Sequence, residues 1–134
     1  MNIRALSNRD KDFYMLMGPF LANRKVETEI GYPIYDDDNK VWFLAFEGDE
    51  VIGFCYLQET RNGKYQIGSC YVTEQSRGQG VFQGLLNEAL SRARGIVELT
   101  TNKEHVANTL VSLGFSATST RGSYTVYRKE LQHG

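Results

Sequence analysis

Four residues, Arg77-Gly78-Gln79-Gly80, separate two segments of different period, and that junction is suited to holding an anion. Before them, Ile67, Cys70 and Val72 belong to an apolar, strand-forming run that stops at Thr73-Glu74-Gln75. After them, Val81, Leu85, Leu86, Ala89, Leu90 and Ala93 recur at three- and four-residue steps, which draws one apolar helical stripe. The first-turn amides of a helix lack intrahelical acceptors, the macrodipole puts partial positive charge there, and glycines let a phosphate come close. Two common phosphate loops do not fit. The dinucleotide fingerprint needs three glycines at fixed offsets, and the P-loop needs Lys-Ser/Thr after its last glycine.

The elements that must position this loop follow from the rest of the chain. Ile3, Ala5 and Leu6 suggest a first strand, and Ser7-Asn8-Arg9-Asp10 offers helix-capping chemistry. One or two helices run from Asp10 to about Thr28, broken by Gly18-Pro19, and Gly31 to Asn39 reads as an exposed loop. Three strands come next, Val41–Phe46, Val51–Glu59 and Tyr65–Thr73. Asn62-Gly63 is a strong hairpin signal. A two-residue type I′ turn there would pair Arg61 with Lys64, Glu59 with Gln66 and Cys55 with Cys70. Beyond the 81–93 helix, a strand at Gly95–Thr101, a helix at Asn102–Leu113, and strands at Phe115–Thr120 and Tyr124–Leu131 complete the order.

Composition narrows the function classes. A length of 134 residues suits one compact domain, and 41% hydrophobic with 23% charged residues is ordinary for a globular protein. The net charge of −1 gives no global case for nucleic acid or an anionic membrane. Without a long apolar run or a signal-peptide core, the expected location is the cytoplasm. Two cysteines make neither a disulfide framework nor a zinc site.

The loop resembles motif A of the GNAT superfamily of N-acetyltransferases, Gln/Arg-x-x-Gly-x-Gly/Ala. Arg77 and Gly80 take its first and fourth positions, Val72 matches the usual strand valine, and Phe82 stands where Gly or Ala is usual. Leu113-Gly114-Phe115 resembles the "LGF" of motif B. The resemblance spans nearly the whole chain. It implies a single α/β (α+β) domain over residues 1–134, a mixed and mostly antiparallel sheet of about seven strands flanked by about four helices. It also implies transfer of an acetyl group from acetyl-CoA to a primary amine of a small molecule, or of a protein lysine or N-terminus, with no metal, nucleic acid or membrane partner. The last strands are a candidate homodimer contact. In the implied site, strands 65–73 and 95–101 splay and the pantetheine arm lies between them, against the backbone of Tyr71 and Val72. The pyrophosphate sits over the amides of Arg77, Gly78, Gln79, Gly80, Val81 and Phe82, and Asn102 or Asn108 supplies the motif-B asparagine.

The family's usual tyrosine acid would fall at Leu110, so that acid is missing from its place. Tyr124 and Tyr127 are substitutes, with sheet packing as their ordinary role, and His105 could face the cofactor end of its helix. The strand position where several members carry a base corresponds roughly to Gln66, whose amide takes no proton. With Glu59 paired across from Gln66, Glu59 becomes the candidate base, directly or through water held by Gln66; the alternative is a solvated strand-end carboxylate. The second functional class is a GNAT-fold module without transfer activity that binds CoA or regulates a partner.

Overall fold

Apolar residues occupy both parities of the central strands, the pattern of a sheet covered on two sides. In the computed structural model, which describes residues 1–131, these strands form one seven-stranded sheet. Its strands are β1 (Asn2–Leu6), β2 (Lys40–Glu47), β3 (Glu50–Glu59), β4 (Tyr65–Val72), β5 (Gly95–Thr101), β6 (Ser116–Arg121) and β7 (Tyr124–Leu131). Their spatial order is β1-β2-β3-β4-β5-β7-β6, and only β4 and β5 run parallel. Four helices cover it: α1 (Phe13–Met17), α2 (Arg24–Ile30), α3 (Val81–Arg92) and α4 (Glu104–Ser112). The fold class and element order expected from the sequence are the ones observed.

One face packs Phe43, Cys55, Leu57, Ile67 and Val97 against Leu85, Leu86 and Ala89 of α3 and Leu110 of α4. The apolar period of α3 is thus the stripe that buries, and Leu85 and Leu86, both fully buried, each contribute about 1.5–3 kcal/mol. The other face packs Trp42, Leu44 and Phe54 against Phe13 and Met17 of α1 and Val26 of α2. Ser7 to Asp10 forms a turn closed by the Ser7 N–H donating to the Asp10 carboxylate at 2.7 Å, and α1 starts later, behind Asp12, without a side-chain cap.

The β3–β4 hairpin departs from the expected two-residue turn. Thr60 N–H donates to the Lys64 carbonyl at 2.7 Å and Gly63 N–H to the Thr60 carbonyl at 3.1 Å, which leaves a three-residue loop. Gly63 takes a φ of +74° while Asn62 keeps a negative φ, so a type I turn followed by a left-handed glycine replaces type I′. The register moves by one: Glu59 pairs with Tyr65, and Gln58 with Gln66. A one-residue slip exchanges faces, so Glu59 and Gln66 lie on opposite sides of the sheet.

A second irregularity lies farther along the same pair. Tyr56 pairs with Gly68 but Phe54 with Tyr71, so Ser69 and Cys70 together oppose Cys55. This is a β-bulge, and it reverses the alternation of β4. Tyr65 and Ile67 face α3 before it, and Cys70 and Val72 face α3 after it. The expected nearness of Cys55 to Cys70 therefore arises through the bulge.

Candidate active site

The loop at the start of α3 is built by backbone conformation. Gly78 and Gly80 have φ of +78° and +80°, and a Cβ at either would meet open space. Gly80 is the N-cap of α3, and no side chain caps the helix there. Its first-turn N–H groups are thus left for an external acceptor. Arg77 braces the loop: Nε donates to the Val72 carbonyl at 2.9 Å, and the guanidinium pairs with Glu29 of α2 at 2.5 Å.

The loop opens onto a gap between two strands. β4 and β5 pair only at Tyr65↔Val97 and Gln66↔Glu98, so from Ile67 onward the facing edges part. Loop and gap form one continuous cavity of about 690 Å³. Its walls include Gly68 to Val72 of β4, Leu99 to Thr101 of β5, Val81 and Phe82 of α3, and Val106 and Thr109 of α4. A long ligand with an anionic end and an extended arm bearing amides fits this shape, because uncapped helix amides lie at one end and an unpaired strand edge runs along the side.

At the narrow end of the gap sits the bulge. Ser69 is buried with a φ of +49°, a conformation that costs a non-glycine residue of order 1–3 kcal/mol and recurs at ligand sites. Its N–H leaves the ladder and donates to the Tyr32 hydroxyl at 2.7 Å. Burial pushes the Tyr32 phenol above its ordinary pKa, partly offset by that bond from Ser69. Tyr32 follows Gly31, the left-handed C-cap of α2.

Tyr71, Val72, Arg77, Gly78, Gly80, Val81 and Phe82 all line the cavity. Phe82 also packs against the core, so its ring forms wall rather than filling the loop. Gln79 lies outside the lining, with its side-chain amide donating to the Gln75 carbonyl at 3.4 Å. Asn102 and Asn108 are exposed and away from the cavity; Lys103, His105 and Thr109 line it instead. Residues 105 and 109 are one helical turn apart and line the cavity together with Val106. Glu59 and Gln66 are exposed and do not line the cavity, and the pairing that joined them is absent. Leu110 is fully buried core. The residues that sequence reasoning missed are Glu29, Tyr32 and Ser69, which lie on a helix end, in a loop and at a bulge.

Comparison with known proteins gives the same picture. A family model described as "Acetyltransferase (GNAT) family" matches residues 6–115. Among solved structures the chain is similar to Escherichia coli ElaA, with 22% identity and a TM-score of 0.74 over 96% of this chain and 99% of that one. It is also similar to the GNAT domain of S. lividans PAT, with 12% identity and a TM-score of 0.74 over 96% of this chain and 89% of that one. An acyl-CoA N-acyltransferase from Pseudomonas aeruginosa shares 18% identity at a TM-score of 0.73, over 96% of this chain and 98% of that one. At such identities the likeness is one of fold. No curated protein matches by sequence.

Proposed function

The chain belongs to the acetyltransferase (GNAT) family, and from that premise we propose that it transfers an acetyl group from acetyl-CoA to a primary amine. The observation that carries this reading is the union, in one cavity, of an uncapped helix N-terminus with an unpaired, bulged strand edge. When bound there, acetyl-CoA supplies an acyl group already activated as a thioester.

The loop amides from Gly78 to Phe82 hold the pyrophosphate oxygens, with Lys103 adding positive charge from across the gap. The free backbone edge of β4 around Tyr71 and Val72 bonds the amides of the arm, a contact that depends on strand separation more than on side-chain type. Leu99, Val106 and Phe82 provide apolar walls that exclude water from the arm. The acceptor comes from the α2 side, where Ile30 and Tyr32 line the cavity and Glu29 is the one carboxylate among the lining residues. Much of the acceleration then comes from holding amine and acyl carbon in contact. Glu29 and His105 are the lining groups able to take a proton from the amine. The cytoplasm suits this chemistry, and among the described residues no helix is long and apolar enough to cross a membrane.

Leu110 at the usual acid position favours a second reading, a CoA-binding module without transfer activity. Calorimetric titration with acetyl-CoA, beside a Gly80→Glu variant, tests the donor site. The parent should bind one equivalent. The variant, with a carboxylate at the phosphate position, should bind at least about tenfold more weakly while its melting shows it folded. A parent that binds nothing removes both readings. One that binds without consuming acetyl-CoA in the presence of mixed amines leaves the module.

A further inference from the structure

The cavity has a closed end, and the groups there meet whatever reaches deepest into it. Because β4 and β5 are paired at Gln66↔Glu98 and part beyond that point, an arm laid along β4 from the α3 end stops at the bulge of Ser69 and Cys70. One phenol from outside the sheet is fixed at that point. The left-handed turn at Gly31, φ +105°, ends α2 and carries the chain to Tyr32, whose oxygen accepts the Ser69 N–H bond at 2.7 Å. A phenol oxygen that accepts a bond keeps its own proton available to give.

We propose that Tyr32 is the proton donor to the thiolate that departs in the transfer, a role that rests on the acetyl-transfer reading above. In that step the acceptor nitrogen bonds to the acyl carbon. The carbon–sulfur bond breaks with its electron pair going to sulfur, and the Tyr32 hydroxyl gives its proton to that sulfur. The attacking nitrogen sheds its proton to a lining base, Glu29 or His105, which passes it to solvent, and the phenolate regains one from solvent after the thiol leaves. The products are an amide and free CoA.

The surroundings suit a donor. The titratable groups facing Tyr32 are the Cys70 thiol of β4, the Tyr56 phenol of β3 and the Tyr124 phenol of β7, whose hydroxyl lies beside Gly31. None of them is cationic. Of the charged groups on the cavity wall, Glu29 and Arg77 are paired with each other. Burial keeps the phenol protonated through the neutral range, and the same dry setting raises the proton affinity of a thiolate, which keeps donor and acceptor matched. Tyr124 and Tyr127 are not among the lining residues, and of the two tyrosines that are, Tyr71 packs its ring against Phe20 and Phe54 while the Tyr32 hydroxyl is bonded to the bulge amide at the closed end.

Tyr32→Phe keeps the ring and removes the proton. The expected result is an acetyl-CoA affinity within about twofold of the parent by calorimetry, with kcat lower by roughly 10²-fold or more. A 3-fluorotyrosine at position 32 gives a readout apart from turnover. Its fluorine resonance should move on addition of CoA and stay in place with desulfo-CoA, which lacks the sulfur. Its lowered phenol pKa should carry the alkaline limb of the kcat profile to lower pH. Parental turnover in Tyr32→Phe, an equal fluorine response to both ligands, or a loss of rate that only tracks lost CoA affinity would each overturn the donor role. A parent that binds acetyl-CoA but acetylates no amine removes the acetyl-transfer reading and the Tyr32 role with it, whereas a transferring parent beside an unimpaired Tyr32→Phe removes the Tyr32 role alone.

Discussion

Cys55 is fully buried on β3, while Cys70, opposite it at the bulge, lines the cavity. The neighbouring Cys70 and burial push the Cys55 thiol well above the ordinary thiol range. Thiolate is the reactive form, so the two cysteines should differ sharply. At neutral pH iodoacetamide should modify Cys70 roughly tenfold or more faster than Cys55, with both modified only after unfolding. Peptide mass mapping locates the adducts, and saturating acetyl-CoA should slow the Cys70 reaction. Rapid modification of Cys55 in the native protein would contradict its placement. Single residues were also the least legible level of this sequence. Arg77 and Gly80 declare themselves because a loop between two periodic segments has a chemistry of its own. Tyr32 belongs to an irregular stretch where no period assigns it a face. Its role appears only when β4, distant in sequence, brings the Ser69 amide to it.

At the scale of elements, Gly53 sets how closely α3 approaches the sheet. A Cβ there would stand 2.9 Å from the Tyr71 carbonyl oxygen, 3.1 Å from Val81 Cγ1 and 3.3 Å from Leu85 Cδ1. The backbone of β4 cannot yield cheaply, so Gly53→Ala should push the first turn of α3 outward. The expected cost is about 1–3 kcal/mol, read from denaturant midpoints. Because Val81 is the first helical residue after the phosphate loop, acetyl-CoA affinity should weaken in the same variant. A shift in stability with unchanged affinity would mean that the loop is independent of the helix it starts. Helices and strands with a clear period were legible, since α3 and β2 bury what their patterns say. Connections were not. Asn62-Gly63 is compatible with two loop lengths, and the one adopted moves Glu59 to the wrong face for Gln66. The bulge did leave a trace: Ile67, Cys70 and Val72 share a face although their spacings are three and then two, which no regular strand permits.

Across the whole molecule, Tyr32, Tyr56 and Cys55 gather around that one bulge, brought there by α2, β3 and the hairpin. Each has a folded-state pKa raised by lost solvation or by its neighbours, so the native protein holds protons that the unfolded chain releases at lower pH. Stability falls wherever the native state binds more protons than the unfolded state as pH rises. For these groups the contribution is fully present below their ordinary values of 9.0 for the thiol and 10.0 for the phenols, and it is lost as pH climbs through the raised values. These three groups should therefore leave the thermal midpoint level between about pH 7 and 8 and lower it progressively above about pH 10. Tyr56→Phe keeps the ring over Gly68 and removes one of the three protons, so its midpoint should fall less steeply with pH than the parent's. Melting curves of both proteins across that range check this. Parallel slopes would mean that Tyr56 ionises as readily inside the protein as outside it. A reduced slope would show that the buried Tyr56 proton contributes to the alkaline loss of stability.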